Sequence, residues 1–328
     1  MEFNKYIVQW HISHLCNLRC KHCYQEEYNN HMSKEDCYLV LEKLDLFFKE
    51  KRLLPQINLT GGEPLLHPNF FEIVDEIKKR GYSFSVLTNG TLINEDIAQK
   101  LKDYAPIFVQ ISLDGDKVIH DSIRGNGNFD KALQGIDILK KYNIKVLVSF
   151  TAQKLNYKEL KGLAKVCQKH KVDKLWWDRV VTEDENLFLT TGEFKELVED
   201  CNNLIHGFHP FQYYSCVTNQ RSLQCIGTND CGYSCSAGKQ LIVILADGSV
   251  MPCRRLPFII GNLKMDNLDN IIYNSDIMQQ LSEFYAPKEC YDCKDLGRCY
   301  GGSRCVTYAQ TGELFNKDIN CFKCSNQK

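Results

Sequence analysis

Cys16-Asn17-Leu18-Arg19-Cys20-Lys21-His22-Cys23-Tyr24 sets three thiols within eight residues, directly after the apolar run Ile7-Val8-Gln9-Trp10-His11-Ile12. The apolar run reads as a strand that ends at the cysteine loop. Thiolates this close repel one another unless a cation holds them, so the loop reads as a metal site. With His22 the set fits a structural Cys₃His zinc ion, although zinc ligands more often come as two separated pairs. On a four-iron cluster, three cysteines leave one iron free to bind something else.

The C-x₃-C-x₂-C spacing followed by an aromatic residue resembles the signature of the radical S-adenosylmethionine (SAM) enzymes. The resemblance implies that Cys16, Cys20 and Cys23 hold a [4Fe–4S] cluster whose open iron binds the SAM amino and carboxylate groups. It implies reductive cleavage of SAM to a 5′-deoxyadenosyl radical.

Outward from the loop, short apolar runs alternate with longer amphipathic ones. Strands are expected at 7–12, 56–59, 83–87, 107–112, 145–150 and 174–177. Helices are expected at about 33–51 (with Ser33 as N-cap), 68–80, 94–102, 128–142 and 157–170. This alternation predicts an α/β fold, a parallel sheet with right-handed crossovers. Six units fall short of a closed barrel, and the family resemblance implies a partial (β/α)6 TIM-like barrel. In such folds functional groups gather at the carboxyl ends of strands. The cysteine loop, Thr60-Gly61-Gly62-Glu63-Pro64, Thr88-Asn89-Gly90, Ser112-Leu113-Asp114-Gly115 and Asp178-Arg179 all fall there.

Gly61-Gly62-Glu63-Pro64 resembles the family's GGEP motif, which implies that this backbone and the Glu63 carboxylate meet the SAM ammonium; Gly-Gly before a helix also makes a plain turn. Ser112 resembles the residue that bonds the SAM ribose, or bonds nearby backbone. Asn89 is a weaker SAM candidate, since Asn-Gly is itself a turn dipeptide. His120-Asp121-Ser122-Ile123-Arg124-Gly125 resembles a segment of peptide- and sulfatase-modifying members, placing Arg124 against the SAM carboxylate; a surface arginine at a helix entrance is the alternative. Tyr24 packs on adenine by resemblance, or belongs to the core.

Seventeen cysteines divide unevenly: three at 16–23, four scattered (Cys37, Cys167, Cys201, Cys216) and ten from Cys225 to Cys324. The contrast suggests a barrel at 1–182, a bridging segment at 183–224 and a small cysteine-rich α+β domain at 225–328. Cys235-x₁₂-Gly248-x₄-Cys253 spans a strand, an Asp-Gly turn and a strand, so a hairpin brings the two thiols together. With Cys290-x₂-Cys293-x₅-Cys299 and Cys321, the spacing resembles the SPASM domain, which carries auxiliary iron–sulfur clusters. The resemblance implies a first auxiliary cluster on Cys235 and Cys253, and a second on Cys290, Cys293, Cys299 and Cys321, with Cys324 as a substitute for Cys321. One departure stands out: the cysteine that completes the first cluster falls at position 303, which is serine. Cys305, Cys231 or Cys225 replaces it, or an iron stays open. A pair of zinc sites is the alternative for the whole region.

A net charge of −1 gives no case for nucleic acid or an anionic membrane. No apolar run approaches the roughly 18 residues of a membrane span, and no signal peptide is visible. A cytoplasmic protein with reduced cysteines is therefore expected. Its barrel starts near residue 6, so leader-peptide recognition is expected from a separate protein or from the barrel. The resemblance implies a flavodoxin- or ferredoxin-type electron donor and a peptide or protein substrate that is crosslinked, oxidised or epimerised. Cys216, in an aromatic stretch, is a candidate hydrogen donor or a buried structural thiol. Asp178 is a candidate base, or a carboxylate paired with Arg179. Rival readings are an anaerobic sulfatase-type formylglycine-generating enzyme, a small-molecule dehydrogenase and a non-catalytic iron–sulfur electron carrier.

Overall fold

The computed structural model describes residues 5–206, 235–283 and 285–322. Its first part alternates β1 (Lys5–Ser13), α1 (Lys34–Lys51), β2 (Leu54–Gly61), α2 (Phe70–Lys79), β3 (Ser83–Thr88), α3 (Glu95–Tyr104) and β4 (Val109–Ser112). It continues through α4 (Lys117–Arg124), α5 (Asn128–Lys141), β5 (Val146–Ala152), α6 (Leu160–Lys169), β6 (Lys174–Arg179) and α7 (Thr191–His206). The C-terminal part holds β7 (Leu241–Ile244), β8 (Ser249–Met251), β9 (Gly261–Asn262), α8 (Leu268–Tyr273), α9 (Asp276–Ser282), α10 (Leu296–Cys299) and α11 (Arg304–Thr311).

The first six strands pair in sequence order and in parallel, each connection carrying at least one helix. The sheet order is linear, with β6 at one edge and β9 at the other, so the barrel stays open as expected from six units. Capping fixes several helix starts: Ser33 accepts from the Asp36 amide at 3.0 Å, Asn94 from Ile97 at 2.9 Å and Asp116 from Ile119 at 2.9 Å. Val8, Trp10 and Ile12 of β1, Ile57 and Leu59 of β2 and Val86 of β3 are fully buried beneath the helices. The alternate positions, among them Gln9, Asn58, Thr60 and Gln110, are polar and line a cavity on the other face of the sheet, so apolar residues recur at every second position of these strands.

Two features were not expected. Helix α4 takes up the His120–Arg124 run; eight residues are too few to show a helical period, and only Asp116 at its cap marks it. The predicted hairpin forms, but it does not make a sheet of its own. Strand β7 pairs in parallel with β1, Ile7 opposite Leu241 through Trp10 opposite Ile244, and β8 and β9 follow antiparallel. The apolar Leu241–Ile244 run thus covers the edge that β1 would otherwise leave open. No helix among the described residues is long and apolar enough to cross a membrane.

Candidate active site

The Gly-Gly turn after β2 is where the triad loop is anchored. The Gly62 amide donates to Ser13 O at 2.7 Å and the Glu63 amide to Leu15 O at 2.7 Å. A Cβ on Gly61 would lie 2.0 Å from Ser13 O, and one on Gly62 2.4 Å from Leu15 O. Gly61 also has φ +140°, a region closed to other residues. The close approach these glycines permit is to the stem of the cysteine loop.

Glu63 is turned away from the cavity. Its carboxylate is fully buried and accepts from Thr88 Oγ1 at 2.7 Å, the Asn89 amide at 2.8 Å and the Leu65 amide at 3.3 Å. Burial pushes its pKa up to about 7 against those three donors. Glu63 and the buried Pro64 therefore tie β2 to β3. Asn89 continues the chain of contacts: its Nδ2 donates to Asn17 Oδ1 of the cysteine loop at 2.9 Å, while its Oδ1 accepts from the Thr91 amide at 2.9 Å.

A single cavity of about 560 Å³ gathers most of the remaining predicted residues. Cys16, Cys20, Cys23, Tyr24, Gly61, Gly62, Asn89, Ser112, Arg124 and Asp178 line it, and so do Cys235, Cys253 and Cys305 from the C-terminal part. Arg124, at the end of α4, donates through Nε to Asp114 Oδ2 at 2.5 Å and points Nη1 at Cys20 Sγ, 3.7 Å away. Asp114, fully buried, also accepts from the Thr151 amide at 3.0 Å. Charge from Arg124 and His22 and this bond hold its pKa below the ordinary carboxylate value despite burial. His22 Nε2 lies 3.8 Å from Asp114 Oδ2 and 3.4 Å from Arg124 Nη2, with Nδ1 facing Gln153 at 3.5 Å. Both ring nitrogens are thus directed at protein groups, which does not fit a Cys₃His zinc site.

Asp178 does not pair with the Arg179 guanidinium. Adjacent strand residues point to opposite faces, and Asp178 instead forms its ion pair with Arg255. Burial raises the Asp178 pKa, and the Arg255 charge opposes that rise. Arg179 grips Asp318 with Nη1 at 3.0 Å and Nη2 at 2.6 Å, and also bonds Asn320 Oδ1. Cys216, Cys225, Cys231 and Cys324 lie outside the described residues.

Ten of the thirteen described thiols fall into three groups, and Cys37, Cys167 and Cys201 are buried outside them. Beside Cys16, Cys20 and Cys23, the second group is Cys235, Cys253 and Cys305. Burial above all, then the neighbouring Cys305 and Cys235, pushes the Cys253 thiol up to about 12. Ser303, buried, sets its hydroxyl 3.3 Å from Cys305 Sγ. The third group is Cys290, Cys293, Cys299 and Cys321; burial, Asp318, Cys321 and Cys290 push Cys299 up to about 12. Among the described residues no three His, Cys, Asp or Glu side chains converge on the point a single ion needs. Burial makes Cys253 and Cys299 costly to ionise unaided, a cost that a bound cationic cluster would offset.

Sequence reading assigned no role to Asp114, Arg254, Arg255, Asp318 or Asn320. Asp114 lies two residues past Ser112, the strand period, and an arginine pair directly follows Cys253; these were the available signals.

The fold and the clustered thiols define an α/β protein built around iron–sulfur chemistry. The Radical SAM superfamily model matches residues 10–167 and the SPASM iron-sulfur cluster-binding domain model residues 235–294. The chain belongs to the radical SAM superfamily and carries a C-terminal SPASM domain. Its relatives include the Fe-coproporphyrin III synthase of Methanosarcina barkeri, 31% identical over 54% of this chain and 44% of that one. The subtilosin biosynthesis protein AlbA of Bacillus subtilis is 30% identical over 88% of this chain and 66% of its own. The mycofactocin maturase MftC of Mycobacterium tuberculosis is 25% identical over 96% of this chain and 82% of its own. The chain thus spans less than two thirds of the first two relatives. In fold it is similar to anSMEcpe with bound AdoMet (TM-score 0.81, 21% identity, 97% of this chain and 94% of that one). It is also similar to Streptococcus suis SuiB bound to the precursor peptide SuiA (TM-score 0.73, 16% identity, 98% of this chain and 76% of that one).

Proposed function

We propose that this chain is a radical SAM/SPASM maturase that removes hydrogen from a residue of a ribosomally made peptide, leading to a crosslink, an oxidised residue or an epimerised one. The observation that carries the reading is the single cavity of about 560 Å³ with thiol triads from both parts of the chain on its wall. A substrate in it lies between the SAM-binding cysteines and a second cluster, as a modification involving hydrogen abstraction and then electron removal requires. The likenesses to AlbA and MftC support a peptide substrate.

When bound, the cluster and SAM supply the radical chemistry. The residues of the chain hold and orient them. Cys16, Cys20 and Cys23 ligate the first cluster, and Arg124, fixed by Asp114, offsets thiolate charge beside Cys20. Gly61, Gly62, Asn89, Ser112 and Tyr24 surround the SAM volume. Cys235, Cys253 and Cys305 hold the first auxiliary cluster, and Cys290, Cys293, Cys299 and Cys321 the second, making three in all. In this reading the barrel is 1–182, the bridge 183–224 and the cluster domain 225–328. The protein works in the cytoplasm with a flavodoxin- or ferredoxin-type donor and, where a leader peptide is read, a separate binding protein.

The test is anaerobic reconstitution with iron and sulfide, then SAM and a strong reductant. 5′-Deoxyadenosine is the expected product, and its absence removes the radical reading, leaving an electron carrier. Co-expression with a small peptide encoded beside the chain then gives an intact mass. Loss of two hydrogens indicates a crosslink or oxidation, and deuterium uptake without mass change in ordinary water indicates epimerisation. The likeness to Fe-coproporphyrin III synthase favours a second reading, a tetrapyrrole substrate. Turnover of iron coproporphyrin in place of peptide would select it.

A further inference from the structure

The cavity wall carries five arginines, Arg124, Arg179, Arg254, Arg255 and Arg304, against one carboxylate, Asp178. Most of this positive charge is already engaged. Arg124 is bonded to Asp114, Arg179 to Asp318 and Arg255 to Asp178, and Arg304 stacks on Phe315 with its centre 4.8 Å from the ring. Arg124 and Arg255 also face thiols, Cys20 in one case and Cys253 with Cys305 in the other.

Arg254 differs from the others. Its guanidinium lies 4.1 Å above the Tyr24 ring, which leaves the planar donor fork unspent. Unlike Arg124, Arg179 and Arg255, it forms no ion pair with a carboxylate among the described residues, and its Nε, like that of Arg179, is buried without a hydrogen-bond partner. The other charged neighbour that faces it, His11, is kept neutral by burial and by the Arg254 charge itself. Buried donors of a charged group are costly to leave unmade. Tyr24 belongs to the first thiol group and Arg254 directly follows Cys253 of the second, so the fork sits where a substrate spans the two.

We infer that Arg254 is an anchor for a carboxylate of the substrate, an acidic side chain or a C-terminal carboxylate of the peptide. This rests on the peptide reading above and names the chemistry that selects the peptide. A carboxylate lying in the guanidinium plane can accept from this fork while Tyr24 stacks on its face.

The test is equilibrium dialysis of the reconstituted, SAM-loaded protein against mixed-sequence N-acetyl pentapeptides, with mass-spectrometric readout. The central residue is Asp, Asn or Lys, and each peptide is made as a C-terminal amide and as a free acid. The wild type is expected to retain acidic peptides over neutral ones by roughly tenfold to a hundredfold, the range of a charge-assisted bond. The Asp-amide and Asn-acid arms tell the two carboxylate sources apart. Arg254→Met levels the preference and Arg254→Lys restores part of it, with iron content and SAM affinity at wild-type values in both. Charge-blind retention by the wild type, or an unchanged preference in Arg254→Met, overturns the inference while the peptide reading stands. A roughly tenfold loss of SAM affinity in Arg254→Met with peptide preference intact also overturns it, assigning the fork to the cofactor. Retention of no peptide at all overturns the peptide reading, and the inference with it.

Discussion

Arg179→Met tests how the cluster domain is held to the barrel. Arg179 and Asp318 are 2% and 1% exposed, so their two-pronged contact is a fully desolvated ion pair. The substitution keeps an apolar stem against Phe194, whose ring lies 4.3 Å from the guanidinium centre. It leaves the Asp318 carboxylate with the Ser303 amide at 2.8 Å and the Asn320 amide at 3.0 Å. Removing one partner of a buried pair costs roughly 3–5 kcal/mol. The two surviving amide donors put this case at the low end, about 3 kcal/mol, or a little over a hundredfold in an opening equilibrium. Because both amides bond to Asp318, amide exchange reads the change directly. Anaerobic hydrogen exchange should accelerate by about that factor over residues 301–322 and stay unchanged in β3 to β5. Asp318→Asn alone leaves Arg179 with Asn320 and the Phe194 ring, and the double variant should cost clearly less than the sum of the singles. Exchange within about twofold of wild type, or strict additivity, would refute the view that this pair clamps the two parts together.

Three further outcomes follow from the site. Gly62→Ala drives a methyl into the Leu15 carbonyl, 2.4 Å from the ideal Cβ, and should destabilise the loop stem by roughly 1–3 kcal/mol; the reading is loss of 5′-deoxyadenosine with the auxiliary-cluster absorbance retained. Glu63 has a folded pKa of about 7, raised by burial. The folded state therefore binds its proton more tightly than the unfolded chain, and stability should fall by roughly 3 kcal/mol as pH rises from about 4.5 to 7. Urea midpoints across that window should slope downward in the wild type and flatten in Glu63→Gln; equal slopes would sink the assignment. Cys305→Ala should lower bound iron by about four per chain if Cys305 is a ligand, while Ser303→Ala, which removes only the hydroxyl beside its sulfur, should keep the iron; equal iron in wild type and Cys305→Ala would leave the cluster to other cysteines.

What could be read from the sequence was local. Cys16, Cys20 and Cys23 share one loop, the GGEP run is contiguous, and Cys290 and Cys293 sit one turn apart, so spacing alone brought them forward. The parallel strands were legible because short stretches with apolar residues at alternate positions, such as Val8, Trp10 and Ile12, regularly alternate with amphipathic helical runs. The groups that were missed are joined over long separations. Arg179 meets Asp318 across 139 residues, and Arg255, just past β8, meets Asp178 at the end of β6. Asp178 was given the wrong partner because the nearest charge in sequence, Arg179, points to the other face of the strand. Glu63 was read toward the cofactor from its motif, yet its three bonds are to Thr88, Asn89 and Leu65, a pairing that depends on β2 lying beside β3.

The same long-range pairing bears on how substrate is held. Cys235 precedes β7 and Cys253 follows β8, so the second thiol group brackets a hairpin. That hairpin is not a neighbour packed loosely on the barrel: β7 is hydrogen-bonded to β1 in a fixed register, and β1 runs straight into the loop of Cys16, Cys20 and Cys23. Ile242, Val243 and Ile244 are all fully buried, so this strand is packed on both faces. The spacing between the two thiol groups is therefore set by one sheet. On the proposed peptide reading, selectivity falls to side chains on the cavity wall such as Arg254, which forms no ion pair among the described residues.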